Sequence, residues 1–422
     1  MKTPNVCVIK LPGVKNYAVV SPGRIVYGLN ACEEDMRVLV EEEMQNVLSQ
    51  SGELLPSPNT GAKLSWIPTF DCNLRCVYCY ALGGETKEYL PLEYAVASLR
   101  AVGESKGFDY LDIYLVGGGE PLLGFETVKE GVQLARAMFE EVAVHVVTNG
   151  TFDEAVFEWL VEQDANVRVS YDGPFHTLQR PYADGSSSWE TVRGNIKRLV
   201  VAGFDSVVQC IVTAQGVVGM RSVVDDIVSL GVQVVKMEPM LSTDVSRSGK
   251  VLVPKPKVFA RALLDVVQYV VEHGLNVKVD TGFFTEPSAG YYCGMPRGNI
   301  IVTPHGLITS CVEVARPSDP YADLVVCGKI SELGWEIYEE RREKLAELHF
   351  NKYGGGCSRC NFRLLCQGGC PMANIWQSGL PVRKSAFTCS VEHELLPKLL
   401  LMLAENPHIA DVIMEDVEVE VC

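Results

Sequence analysis

Between Leu64 and Met237 the chain repeats one unit six times, a short apolar run followed by an amphipathic stretch. The runs are Ser65 to Phe70, Tyr110 to Val116, Val142 to Thr148, Val167 to Ser170, Val207 to Thr213 and Val232 to Met237. Apolar runs of this length, alternating with helix-period segments, pack as parallel strands with helices outside them. An open sheet and a curled one both satisfy the pattern. Either way, parallel α/β units present their functional groups on the loops at the strand C-terminal ends.

Those loops carry the chemistry-bearing residues. After the first run comes Asp71-Cys72-Asn73-Leu74-Arg75-Cys76-Val77-Tyr78-Cys79-Tyr80, with Cys72, Cys76 and Cys79 spaced C-x3-C-x2-C. Three thiolates on one short loop can converge on a soft metal centre but leave one corner of a four-ligand shell open. A chance spacing, an incomplete zinc site and part of a ferredoxin-like cluster share this local pattern. After the second run, Gly117-Gly118-Gly119-Glu120-Pro121 is a turn whose backbone can approach a ligand closely and offer both peptide groups and a carboxylate. Thr148-Asn149-Gly150 ends the third run and Ser170-Tyr171-Asp172-Gly173-Pro174 the fourth; both are also ordinary turn signals. Arg180, in the loop that follows, offers a planar, paired contact to an anion. Met237 and Glu238 close the sixth run, with core packing and a surface carboxylate as the plain alternatives.

Cysteine usage changes beyond residue 290. Cys293, Cys311 and Cys327 are followed by Cys357, Cys360, Cys366 and Cys370, spaced C-x2-C-x5-C-x3-C, and then by Cys389. A stretch this rich in thiols and glycine has little apolar mass and calls for a bound ligand to organise it; one or two zinc ions would serve. The net charge of -16 argues against a nucleic-acid partner, whose phosphates are met by clustered Lys and Arg, and favours a small cation or a basic peptide. Met1 to Gly13 lacks the apolar segment of a signal peptide, and Leu395 to Leu403, interrupted by Pro397 and Lys398, is too short to span a bilayer. The expectation is a cytoplasmic protein with no membrane partner, in which fifteen cysteines mean metal or redox chemistry rather than disulfides.

The cysteine triplet with Tyr78, the glycine turn with Glu120, the two later strand-end turns and the C-terminal array together resemble radical S-adenosylmethionine (radical SAM) enzymes of the SPASM subgroup, a peptide-maturase-like group related to anaerobic sulfatase-maturing enzymes. The resemblance runs from about Leu64 to Glu394. It implies an α/β fold, a partial (β/α)6 TIM-like barrel with a small N-terminal unit and a cysteine-rich C-terminal SPASM domain. It also implies that Cys72, Cys76 and Cys79 hold a [4Fe-4S] cluster whose fourth iron takes AdoMet. Around that cofactor it places Tyr78, Gly118, Gly119, Glu120, Asn149, Ser170, Asp172, Arg180 and Met237. Glu120 would sit at the methionine ammonium, Arg180 at the carboxylate, Ser170 and Asp172 near the ribose or substrate, and Met237 at the adenine. Two auxiliary [4Fe-4S] clusters complete a set of three. Cys357, Cys360, Cys366 and Cys389 match one; Cys293, Cys311 and Cys370 match the other. Gly294-Met295-Pro296 stands where some members have a further cysteine, so this last cluster has an open iron or takes Cys327, for which a buried core cysteine is the other reading.

The domain boundaries that follow are 1–60, a small strand and helix unit that is either a cap or a peptide-docking surface; 61–240, the radical SAM core; 241–290, a helical bridge; 291–394, the auxiliary-cluster domain; and 395–422, a C-terminal helix and acidic tail. Within the first, Val6 to Ile9, Tyr17 to Val20 and Arg24 to Tyr27 read as strands and Glu34 to Leu48 as a helix. The implied activity is that of an oxidoreductase and peptide maturase. It cleaves AdoMet reductively to a 5′-deoxyadenosyl radical, abstracts hydrogen from a ribosomally synthesised precursor peptide and forms a crosslink, expected to be a cysteine thioether. Carbon-carbon crosslinking and side-chain oxidation of a sulfatase-type substrate are the alternatives within the family. An iron-sulfur electron-transfer protein is the alternative outside it. A flavodoxin or ferredoxin-type protein is the expected electron donor. Cys7, Cys32 and Cys210 read as packing residues and Cys422 as exposed.

Overall fold

In the computed structural model of the protein, the described residues are 6–13, 16–21, 24–28, 33–49, 61–104, 110–205, 207–241, 253–283, 291–348, 357–380, 383–413 and 418–421. Cys32 and Cys422 lie outside them. The chain opens with an antiparallel meander of β1 (Cys7–Lys10), β2 (Tyr17–Ser21) and β3 (Arg24–Gly28), crossed by a helix over Glu33–Ser49. Glu43 ties that helix to the sheet, accepting from Ser21 Oγ at 2.6 Å and Arg24 Nη1 at 2.7 Å.

The repeated unit then builds β4 (Ala62–Trp66), β5 (Tyr110–Leu115), β6 (Glu141–Thr148), β7 (Asn166–Ser170), β8 (Val207–Val212) and β9 (Val234–Pro239), each parallel to the next. β4 stops at Trp66, earlier than the apolar run through Phe70 suggests. Pro68 follows, without the N–H a ladder needs, and the chain bends away toward the cysteine loop. Strand alternation sorts the side chains. Val142, Val144, Val146, Val167 and Val169 are buried in the main core together with Val128, Val132 and Leu160 from the helix layer. The opposite face is polar: Tyr114 stacks on His145 with ring centroids 4.3 Å apart, His145 Nε2 meets Asp112 at 2.8 Å, and Lys236 pairs with Glu238 at 3.1 Å.

Three features depart from the sequence-based boundaries. The supposed helical bridge contains, besides the helix Pro256–Glu272, a seventh parallel strand, β10 (Lys278–Asp280), paired with β9. On the far edge, β11 (Ile301–Val302) runs parallel to β4, and β12 (Leu307–Thr309), β13 (Val326–Ser331) and β14 (Gly334–Ile337) follow antiparallel. The result is one open sheet of eleven strands, ordered β10-β9-β8-β7-β6-β5-β4-β11-β12-β13-β14. The cysteine-rich region therefore grows out of the partial barrel rather than standing beside it.

The third departure is at 394/395, which falls inside one helix, Ala386–Glu405. That helix passes through Pro397 because Leu395, Leu396, Leu399, Leu400 and Leu403 are fully buried, partly against the helix Pro256–Glu272; packing outweighs the lost backbone hydrogen bond. The tail then returns to the start of the chain, where β15 (Glu418–Val421) pairs parallel with β3. The N-terminal sheet also touches the C-terminal region at Arg363, whose Nη2 donates to the Val6 carbonyl at 3.1 Å. Among the described residues no helix is long and apolar enough to cross a membrane.

Candidate active site between two cysteine-bearing walls

The loop carrying Cys72, Cys76 and Cys79 is anchored at both ends and in the middle. Gly84 N donates to the Phe70 carbonyl at 2.8 Å, and Arg75 reaches back to the carbonyls of Cys72 (2.7 Å) and Gly84 (2.9 Å). Arg75 N and Val77 N bond to the carbonyls of Pro181 and Gln179 at 2.7 and 2.9 Å, pinning the loop to the segment after β7. All three thiols are free and half-buried. Burial pushes Cys72 up to about 12 and, even with the Arg180 guanidinium nearby, Cys76 up to about 11. These thiols gain charge readily only when a cation binds them.

The glycine turn lies directly beneath. Gly118 has φ 69°, and a Cβ on Gly119 would stand 1.9 Å from the Asp71 carbonyl oxygen, so only glycine allows the turn to lie this close to the cysteine loop. The Gly118 carbonyl and Gly119 backbone face Gly83 and Cys72. Glu120 points the other way. Its carboxylate is 4% exposed and accepts from Asn149 N at 2.6 Å, Thr148 Oγ1 at 2.7 Å and Leu122 N at 3.3 Å. The motif thus spans two contacts: Gly119 N and Glu120 N donate to the carbonyls of Thr69 and Asp71 at 2.8 Å each, and the carboxylate locks the ends of β5 and β6 together. Asn149 extends toward the same loop: its amide donates to Asn73 Oδ1 at 2.8 Å and lies 3.9 Å from Cys72 Sγ.

Asp172 and Arg180 form a second buried lock. Asp172 is fully buried and accepts from Arg180 Nε at 2.9 Å, Ile211 N at 3.0 Å and the Tyr78 hydroxyl at 2.5 Å. Burial alone would raise its carboxyl, but the Arg180 guanidinium overcomes this and holds it below the usual range. Tyr78, inside the cysteine motif, lies with its ring 5.2 Å from the same guanidinium. In this structure Arg180 therefore spends its planar fork on Asp172. Ser170 is half-buried at the end of β7, its register partner being Gln209. Met237 is placed differently from the sequence expectation. It is fully buried in the main core, while Lys236 and Glu238 take the polar face, where Glu238 accepts from Gln209. The two-residue period of β9 sets Met237 and Glu238 on opposite faces, and the register of β9 against β8 decides which faces the core.

The opposite wall comes from the C-terminal region. Cys293, Cys311 and Cys370 lie on three separate segments, yet each counts Glu313 among its charged neighbours, and Cys311 and Cys370 neighbour one another. Cys370 caps the helix Pro371–Ser378, its Sγ accepting from Ala373 N at 3.5 Å. Glu313 accepts from Trp376 Nε1 on that helix at 2.9 Å. Cys327 stands apart: it is buried against Ser310 Oγ at 3.3 Å, with Arg342 and Glu339 as its charged neighbours. Between the walls lies a solvent-open cavity, lined by Tyr80, Leu82 and Gly118 on one side and by Val312, Glu313 and Trp376 on the other. Arg316 straps the walls together, lying 4.0 Å from the Phe70 ring centroid and donating to the Ala81 carbonyl at 3.2 Å. The sequence pattern did not single out Glu313, Trp376, Tyr80 or Arg316. The available signal for Glu313 was its position two residues beyond a candidate cysteine.

Cys357, Cys360, Cys366 and Cys389 line a second cavity. Lys384 lies in its wall beside Cys389, Cys357 and Cys360; burial pushes Cys357 and Cys360 up, and the Lys384 ammonium opposes this without overcoming it. Cys7 of β1 approaches from behind, within electrostatic reach of Cys360. Cys7 and Cys210 are both buried. Among the described residues, no three Cys, His, Asp or Glu side chains come together tightly enough to hold a single metal ion.

Residues 66–226 match the Radical SAM superfamily. Mycofactocin maturase MftC of Mycolicibacterium smegmatis is 24% identical over 335 residues, covering 76% of this chain and 80% of that protein. Native anSMEcpe with bound AdoMet and Cp18Cys peptide has a similar fold, with a TM-score of 0.68 at 19% identity over 82% of this chain and 99% of that one. Streptococcus suis SuiB bound to precursor peptide SuiA aligns with a TM-score of 0.55 at 14% identity, over 83% and 81% of the two chains.

Proposed function

We propose, from the premise that this chain belongs to the radical SAM superfamily and is an enzyme, that it matures a ribosomally made peptide by joining a cysteine sulfur of that peptide to a carbon of another residue. Family membership brings AdoMet and a [4Fe-4S] cluster. Cys72, Cys76 and Cys79 would hold that cluster, with the Asn149 amide 3.9 Å from Cys72 Sγ and the Gly118-Gly119 turn packed against Gly83 of the same loop. Cys293, Cys311 and Cys370 would hold one auxiliary cluster, and Cys357, Cys360, Cys366 and Cys389 another. The donors fit: desolvated free thiols on the first two sets, and four thiols around a cavity with a lysine in its wall on the third. A peptide as substrate is supported by the maturase name of MftC and by the peptides bound in anSMEcpe and SuiB.

One observation carries the thioether reading. Cys311 directly precedes Val312 and Glu313 of the cavity wall, Cys370 caps the helix that carries Trp376 of the same wall, and Cys293 neighbours both; among the described residues no fourth thiol joins them, because Cys327 is packed against Ser310. When bound, the cofactors supply a 5′-deoxyadenosyl radical, an iron able to take a thiolate, and an acceptor for an electron. The walls hold the two reacting parts of the peptide side by side, which makes ring closure effectively unimolecular. Tyr80, Val312 and Trp376 line the place where the reacting carbon would lie. One C–H and one S–H bond break and a C–S bond forms. The hydrogen atom goes to the 5′-deoxyadenosyl group, the proton to a base and the remaining electron to the acceptor.

The test uses anaerobically reconstituted enzyme, AdoMet, a flavodoxin or ferredoxin-type donor and a cysteine-containing precursor peptide encoded beside the gene. The product is expected to lose two hydrogens while its cysteine becomes resistant to alkylation. A product that keeps every free thiol overturns the thioether; fragmentation would then show a carbon-carbon bond or an oxidised side chain.

A further inference from the structure

Glu313 is a carboxylate with an unusual setting. It follows Cys311 by two residues, in a turn that Val314 N closes on the Cys311 carbonyl at 3.2 Å. Its Oε2 is held at 2.9 Å by the Trp376 indole, which projects from the helix that Cys370 caps. The segments bearing Cys311 and Cys370 therefore fix it from two sides, and it is the charged neighbour shared by Cys293, Cys311 and Cys370. Among the described residues no cation pairs with it, and Trp376 is its hydrogen-bond donor. Arg316, the cation nearest in sequence, is turned toward Phe70 and the Ala81 carbonyl instead. Glu313 is half-buried; a carboxylate held there without a counter-charge is unfavourable, and a metal centre in the adjoining thiol group removes that penalty.

We propose that Glu313 is the fourth donor to the iron-sulfur cluster of Cys293, Cys311 and Cys370 in the substrate-free enzyme, and that it yields this position to a substrate cysteine. The inference rests on the reading that those three cysteines hold a cluster. Thiolate is the softer and better partner for such iron than carboxylate oxygen, so the exchange runs toward sulfur. The iron–oxygen bond breaks, an iron–sulfur bond forms, and the thiol proton passes to the released carboxylate with no change of oxidation state. In the absence of peptide the same carboxylate keeps small thiols off the iron. Glu313 also lines the cavity facing Tyr80 and Gly118, so a cysteine that displaces it arrives beside the first cysteine loop.

The experiment compares the full-length wild type with Glu313→Gln and Glu313→Asp, each reconstituted with isotopically enriched iron and saturated with AdoMet. Iron analysis, Mössbauer spectra and a titration with β-mercaptoethanol are recorded without peptide. All three proteins are expected to hold about twelve irons. Besides the iron that takes AdoMet, the wild type should show one further oxygen-ligated iron whose signal changes in Glu313→Gln. β-Mercaptoethanol should perturb Glu313→Gln at a concentration roughly tenfold lower than wild type, with Glu313→Asp between them. Identical spectra and titrations at about twelve irons overturn the role of Glu313 and leave the cluster intact. A wild type with about eight irons, unaltered by Cys311→Ala, overturns the underlying reading of the site instead. Should Glu313→Gln fail to accumulate, Glu313→Asp carries the same comparison, because its shorter side chain withdraws the carboxylate.

Discussion

The two walls of the central cavity are built on different principles. Beneath the barrel wall lie two buried locks, Glu120 with Thr148 and Asn149, and Asp172 with Arg180 and Tyr78. The C-terminal wall gathers three thiols from three segments, with the Trp376 to Glu313 bond and the Arg316 strap as its visible ties. Strand ends and buried polar groups set the first wall in advance; the second depends far more on what its thiols bind. A rigid wall suits a cofactor that is the same in every turnover, and an adaptable one suits a substrate.

The largest expected effect separates the cysteine groups themselves. Cys72→Ala should bring AdoMet cleavage to background and remove about four of about twelve irons. Replacing Cys357 and Cys360 together should remove a similar number while leaving AdoMet cleavage in place. Cleavage assays and iron analysis of both variants would show it; loss of cleavage in both would mean that the groups are not separate centres.

A smaller effect tests how each wall is held. Arg180→Met leaves the Asp172 carboxylate buried without its cation and is expected to destabilise the fold by about 3–5 kcal/mol. The parallel substitution Arg316→Met removes a cation over Phe70 and a carbonyl contact, which amounts to about 1 kcal/mol. Urea unfolding midpoints of the two variants would break the comparison if they fell equally.

A last effect, spread over a range of pH, concerns Glu120. Burial pushes Glu120 up to about 7 from an ordinary 4.5, against the lowering influence of its Asn149, Thr148 and Leu122 hydrogen bonds. The folded protein thus holds this proton more tightly than the unfolded chain. The resulting stabilisation is complete below the unfolded value and is lost as pH rises through the folded one, roughly 3 kcal/mol over that window. Glu120→Gln should flatten this part of the stability profile, measured as denaturant midpoints at a series of pH values; an unchanged slope would show that the lock is ionised throughout.

Much of this was readable from residue order. The strands at Tyr110, Val142, Val167 and Val207 begin within one residue of where apolar periodicity put them, because a buried parallel strand needs an unbroken apolar face. The cysteine spacing and glycine turn announced the first wall for a similar reason, since local geometry requires those residue types. Periodicity did not reveal that β9 turns Met237 into the core and Glu238 toward the polar face, which depends on the register β9 adopts against β8. Residue types suggested ligand contacts for Glu120 and Arg180, but the structure shows each engaged with another part of the chain.

By itself, then, the sequence determined the repeat, the loop that bears the first three thiols and the existence of a thiol-rich C-terminal region, because each is a property of neighbouring residues. Tertiary structure decided what lies across the cavity. It set β11 beside β4, carried the tail back to β3, brought Cys293, Cys311 and Cys370 around Glu313, and turned Cys327 away. Those choices join residues far apart in the chain through sheet order and helix packing, and no local spacing encodes which of two cysteines, 311 or 327, will face the site.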